Sequence, residues 1–168
     1  TGPSYPYEYT LQNDVADGQP LTDFTLTDTL PPEIVYLGNV NITGASGTVT
    51  TEPPVNVVAT PPDNQLVIDF ASVTDTVTVT FDFYVNDEPA GGPPPVIDPA
   101  NGDEQQVTNS VVGTGTWDPL DGRDPVTAVS DSATDVIQAR SIAIQKGLSV
   151  VADNQAPGPT PGDVYEFT

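Results

Sequence analysis

The chain has 168 residues, with 24 acidic and three basic side chains and no His, Cys or Met. Those absences exclude a Ser-His-Asp or Cys-His nucleophile and any zinc or copper site built on nitrogen or sulfur. A net charge of −21 repels nucleic acid and anionic membranes, and no apolar run approaches the length of a membrane span.

Length fits one domain of about 100–200 residues with a single core. Hydrophobic content is 36%, low for a globular chain. The apolar residues are mostly Val, Ile, Leu and aromatics, and Thr is abundant, a strand-forming mixture. Without Met, residue 1 is not expected to be a translation start, so a processed product or a fragment is expected. No secretion signal is read in the segment. The lack of Cys is compatible with an extracellular protein stabilised without disulfides.

In chain order, strands are predicted at Tyr5–Asn13, Leu21–Thr29, Glu33–Thr43, Thr48–Thr51, Val55–Ala59 and Gln65–Phe70. The cleanest alternation follows: Val77, Val79, Phe81, Phe83 and Val85 face one way, and Thr78, Thr80, Asp82 and Tyr84 the other. Asn86–Glu104, rich in Pro, Gly and acid, reads as a surface loop or an insertion. Further strands are predicted at Gln106–Trp117, Val126–Ser130, Ser132–Gln138 and Ser141–Val151. Turn signals separate them: Asp17-Gly18, Pro31-Pro32, Pro53-Pro54, Pro61-Pro62-Asp63-Asn64, Asn101-Gly102 and Asp121-Gly122. No capped helical period is sustained. The expected fold is all-β, an Ig-like Greek-key β-sandwich with long Pro/Gly-rich loops.

The chain also echoes itself. Pro161-Gly162-Asp163-Val164-Tyr165-Glu166-Phe167-Thr168 resembles Pro3-Ser4-Tyr5-Pro6-Tyr7-Glu8-Tyr9-Thr10, with Tyr165 lying 158 residues after Tyr7. Tandem repetition is the preferred reading. Residues 1–140 then form one sandwich repeat lacking its own first strand. Residues 141–168 supply the first strands of a following repeat, or a strand that completes a neighbouring sandwich.

Tyr9-Thr10-Leu11-Gln12-Asn13, together with Pro20 to Pro31, resembles bacterial surface repeats of the DUF11-like and fimbrial isopeptide-forming kinds. Val107-Thr108-Asn109-Ser110-Val111 is similar to their late TNTA strand, with Ser for Thr and Val for Ala, and Ile142 to Gly147 is similar to a first strand that usually carries Lys. The resemblance implies an Ig-like sandwich in a long cell-surface or fimbrial protein without enzymatic turnover. The Pro-rich insert at 86–104 and the acidity depart from that pattern.

Three polar residues sit on otherwise apolar rows. Asp28 shares a face with Phe24, Leu26 and Leu30; Asn109 with Val107 and Val111; Lys146, the one Lys, with Ile142, Ile144, Leu148 and Val150. Burying them is costly unless they are paired. One chemistry uses all three: a neutral Lys amine attacks the Asn carboxamide, a buried acid shuttles protons, and ammonia leaves. In the family the chain resembles, Lys146, Asp28 and Asn109 match the residue types of the members that form this isopeptide bond. Under the repeat reading, Lys146 belongs to the following repeat; a bond within this chain then requires strand 141–151 to pack into the same sandwich, and a neighbouring copy can also donate the amine. The plainer alternative keeps Lys146 snorkelling at a domain junction, Asp28 capping a turn before Pro31, and Asn109 bonded to backbone.

Only oxygen ligands are on offer for a metal, which favours Ca²⁺. Asp118, Asp121 and Asp124 crowd one turn, and Asp98 to Glu104 forms a second acidic stretch. Neither fits the EF-hand loop, and a solvated acidic loop is the plainer reading of both. Paired carboxylates of a glycosidase have no support beyond abundance. Trp117 is expected in the core or at its rim rather than as a sugar platform. Gly113-Thr114-Gly115 reads as a close backbone approach or a bulge, not a phosphate loop. Asn41-Ile42-Thr43 is a glycosylation sequon.

The expected function is that of a non-catalytic structural repeat, extracellular or at the cell surface, assembling head-to-tail by β-strand addition. Its partners are other copies or adjacent repeats of the same chain, without nucleic acid or membrane insertion in this segment, and no cofactor is required. The competing expectation is a Ca²⁺- or carbohydrate-binding adhesin module, marked by exposed aromatics such as Tyr84 and Tyr36. An enzyme accessory domain is a further rival.

Overall fold

Strict two-residue alternation places apolar side chains on one side of each strand, and the sandwich follows from burying those sides together. A computed structural model describes residues 2–16, 19–86, 97–98, 103–104, 106–138, 148–152 and 164–167. Its strands are β1 (Tyr7–Asn13), β2 (Leu21–Thr29), β3 (Ile34–Thr43), β4 (Gly47–Thr51), β5 (Gln65–Val73), β6 (Val77–Val85), β7 (Ile97–Asp98), β8 (Asp103–Glu104), β9 (Gln106–Trp117), β10 (Val126–Gln138), β11 (Leu148–Ala152) and β12 (Val164–Phe167). No helix occurs among the described residues.

Two antiparallel sheets make an Ig-like Greek-key sandwich. One has three strands in the order β1-β6-β3; the other has five, in the order β10-β9-β2-β5-β4. The chain crosses between the two large sheets after β1, β2, β3 and β5, and again between β6 and β9. Two small ladders stand beside them, β7 with β8 and β11 with β12. The β7–β8 ladder lies within the stretch expected to be a loop.

β6 is the centre of the smaller sheet, and its inward row is the heart of the core. Val77, Val79, Phe81, Phe83 and Val85 are all buried. They pack against Phe24, Leu26, Leu66, Ile68 and Phe70 from β2 and β5. Tyr36, expected as a candidate surface aromatic, is 1% exposed, and its hydroxyl donates to Glu52. Tyr84 is half-buried.

Two sequence expectations are corrected. Val55–Ala59 is not a strand: residues 55 and 56 turn, and Val58 makes a single bridge to Val35. Pro53 and Pro54 donate no ladder bonds, and Asn56 sits at φ 60, so pairing cannot propagate. Val55 and Val57 are left exposed. The break foreseen at Asp131 does not exist, and β10 runs through it. Asp131 pairs with Gly113 and its side chain is exposed. On a strand at the sheet edge a carboxylate reaches water and interrupts nothing. The irregularity lies instead at Val126–Val129, around Ala128 at φ 57.

Gly113 and Gly115 fulfil the expectation of a close approach. A Cβ on Gly113 would stand 2.9 Å from the Phe24 ring, and one on Gly115 3.3 Å from it. The Phe24 side chain of β2 thus packs directly against the backbone of β9.

Candidate functional site

β2 carries Asp28 between Leu26 and Leu30 on its buried row, and β9 carries Asn109 between Val107 and Val111. The strands are direct neighbours with Asp28 opposite Val111, which puts Asn109 one diagonal step away. The Asn109 Nδ2 amide donates to Asp28 Oδ1 at 2.8 Å. Asp28 is 0% exposed and Asn109 3%. The turn before Pro31 is served by another residue: Asn64 Nδ2 donates to the Leu30 carbonyl at 2.8 Å, and the Leu30 amide donates to the Asn64 carbonyl at 2.9 Å. This reciprocal pair anchors the end of β2 just beyond Asp28.

Burial pushes the Asp28 carboxyl up to about 7, against the hydrogen bonds from Asn109 and the Thr29 backbone, which act to lower it. At neutral pH both protonation states are therefore populated, the property a proton carrier needs. Tyr9 belongs to the same environment. Its ring stacks on Phe83 at 4.3 Å between centroids. Its phenol is raised by burial first, and then by the carboxylates of Asp135 and Asp28.

Among the described residues Asp28 Oδ2, Asn109 Oδ1 and Tyr9 Oη are buried and find no hydrogen-bond partner. Each such atom costs about 1–3 kcal/mol. A Lys amine, with its several N–H groups, matches that set of oxygens. Lys146 lies outside the described residues, as does Arg140.

Beside this cluster the sandwich formed by the described residues is open. Among the described strands nothing pairs with the outer edge of β1. On the facing sheet β10 extends past it. Ala133 and Asp135 lie opposite Val111 and Asn109, so they share the inward face, yet both are exposed. A groove of about 270 Å³ runs between β1 and β10, with Leu11 and Asn13 on one side, Asp131 and Ala133 on the other, and Phe24 and Gly113 beneath.

The acidic turn is arranged differently from a metal site. Arg123 Nε donates to Asp121 Oδ1 at 2.9 Å and Oδ2 at 2.8 Å, and all of it is exposed. Among the described residues no group of three or more acidic side chains is placed to hold a metal ion, so Asp118, Asp121 and Asp124 are not brought together as one. The Arg123 guanidinium also lies 4.8 Å over the Trp117 ring. Trp117 is half-buried at the rim, and its buried Nε1 finds no partner among the described residues. Of the second acidic stretch, Asp98 pairs with Asp103 and Ile97 with Glu104 along the β7–β8 ladder.

Sequence reasoning missed Tyr9 and the groove. The signal for Tyr9 was present, since Tyr7, Tyr9 and Leu11 alternate on β1. Its position across the sandwich from Asp28 follows only from the packing of the two sheets.

No protein-family model matches the chain, and no curated protein matches it. Among solved structures the chain is similar to domains D2 and D3 of the major pilin SpaD from Corynebacterium diphtheriae, at 14% identity and a TM-score of 0.42. The likeness covers 78% of this chain and 46% of that one, so the chain spans about half the length of that structure. No helix among the described residues is long and apolar enough to cross a membrane.

Proposed function

We propose that this chain is a non-catalytic structural repeat of an extracellular surface protein or filament, of the DUF11-like and fimbrial isopeptide-forming kind. It assembles head-to-tail: a strand from an adjacent repeat or another copy completes its sandwich. The observation that carries this reading is the mismatch of the sheets. Among the described residues three strands face five, and nothing covers the β1 edge or the inward row of β10. An unpaired edge of this kind is a template for strand addition, in which main-chain bonds give affinity and alternate side chains give register.

The buried pair gives that assembly a covalent lock. A Lys146 amine, neutral in an apolar setting, attacks Cγ of Asn109. Asp28 takes the amine proton and passes it to the departing amide nitrogen. The new bond is Lys Nζ to Asn Cγ, the broken one is Cγ to Nδ2, and ammonia leaves. No oxidant or cofactor enters.

Intact mass of the full chain under denaturing conditions tests the lock. A species lighter than its sequence by one ammonia per bond is expected, either as a single chain or as a denaturant-resistant oligomer. The loss should vanish in Lys146→Arg and in Asn109→Ala. Unmodified monomer mass after long incubation at neutral pH sinks the lock. Absence of self-association at high concentration sinks the assembly.

A further inference from the structure

The β11–β12 ladder and the sequence echo together define how a strand sits on β1. β12 repeats β1: Tyr165, Glu166 and Phe167 stand where Tyr7, Glu8 and Tyr9 stand 158 residues earlier. β12 pairs antiparallel with β11, with Leu148 opposite Phe167, Ser149 opposite Glu166 and Val150 opposite Tyr165. Carrying this register back onto β1 puts Leu148 opposite Tyr9, Ser149 opposite Glu8 and Val150 opposite Tyr7. Continued along the strand, it puts Lys146 opposite Leu11.

This register agrees with two further observations. Directly opposed residues share a face. Tyr9 and Leu11 face inward and are buried, so Lys146, Leu148 and Val150 are assigned to the inward face. The sequence puts the same three on one apolar row with Ile142 and Ile144. A one-residue slip would turn that row to solvent. The groove also carries charge that suits the segment. Asp131 and Asp135 are exposed on the inward row of β10, and Asp28 lies buried beside them. The chain has one Lys, and it lies on the segment this register would seat.

We propose that the open edge of β1 takes residues 142–152 of a second copy of this chain, antiparallel, with Leu148 opposite Tyr9 and Lys146 opposite Leu11. The proposal rests on the strand-addition reading above and adds the donor, the direction and the register. In its own copy β11 is held by the four residues of β12. β1 offers seven strand residues and a groove to fill. Exchange from β12 to a neighbour's β1 therefore gains both ladder and buried surface.

The chain contains no cysteine, so an introduced pair reports register cleanly. Full-length chain carrying Glu8→Cys is mixed, in a glutathione redox buffer, with full-length chain carrying Ser149→Cys. Both also carry Lys146→Arg, so only a disulfide can join them. A synthetic peptide of residues 141–152 with Ser149→Cys is the second probe. Directly opposed Cβ atoms are within disulfide reach and positions two residues away are not, so Glu8→Cys should capture the partner about tenfold more than Thr10→Cys does. Covalent dimers in that ratio support the proposal. Equal capture at the two positions overturns the register. Capture of the peptide in register without chain-to-chain dimers overturns the second copy as donor and leaves strand addition standing. Capture of neither probe overturns strand addition itself.

Discussion

Removing the buried carboxyl of Asp28 should flatten the pH dependence of stability. The perturbation is Asp28→Asn, nearly isosteric, in a Lys146→Arg background that removes the amine of the proposed lock. Asp28 is raised from 3.8 in the unfolded chain to about 7 in the folded one, chiefly by burial. Between those values the folded state holds a proton that the unfolded state has released. The carboxyl's favourable contribution is therefore complete below about pH 4 and is lost as pH rises through about 7. The gap spans about three pH units, and at about 1.36 kcal/mol per unit the loss is roughly 4 kcal/mol. The assay is urea unfolding at intervals from pH 4 to pH 8, comparing the two proteins at each pH. Asn at position 28 keeps an acceptor for Asn109 and cannot ionise, so its advantage should grow from about pH 4 and level off above about pH 7. All exposed carboxylates are common to both proteins and cancel in the difference. Parallel curves would refute the reasoning: Asp28 would then be solvated or paired in the folded chain.

Gly113→Ala forces a methyl group to within 2.9 Å of the Phe24 ring. It should destabilise by about 1–3 kcal/mol in the same unfolding assay. Asn64→Ala removes the bond to the Leu30 carbonyl, with an expected cost of about 1–3 kcal/mol because that buried carbonyl loses a partner. Asn64→Asp should not rescue it, since a carboxylate cannot donate. At equal ionic strength, Ca²⁺ and Mg²⁺ should give the same melting temperature. A rise specific to Ca²⁺ would mean that the acidic residues assemble a site that no three of the described ones form.

The strands were legible because most bury a single face, which leaves a two-residue signature. Asp28 and Asn109 were found the same way, as polar interruptions of an apolar row. The same rule failed at Val55–Ala59, where apolar content survives but prolines withhold the ladder donors. It failed again at Asp131, where a carboxylate on an edge strand was read as a break. Tyr9 was not connected to Asp28 because alternation describes one strand at a time. Which rows meet across the sandwich depends on sheet order. Lys146, the third member of the constellation, lies outside the described residues.

The glycines of β9 have a consequence for capacity. Gly113 and Gly115 contribute no side chain to the groove, which Phe24 lines beside them. A larger residue at either position would press on Phe24 and take up space that the groove now has. The width available between β1 and β10 is thus set in part by a strand that lies beneath the groove rather than at its sides.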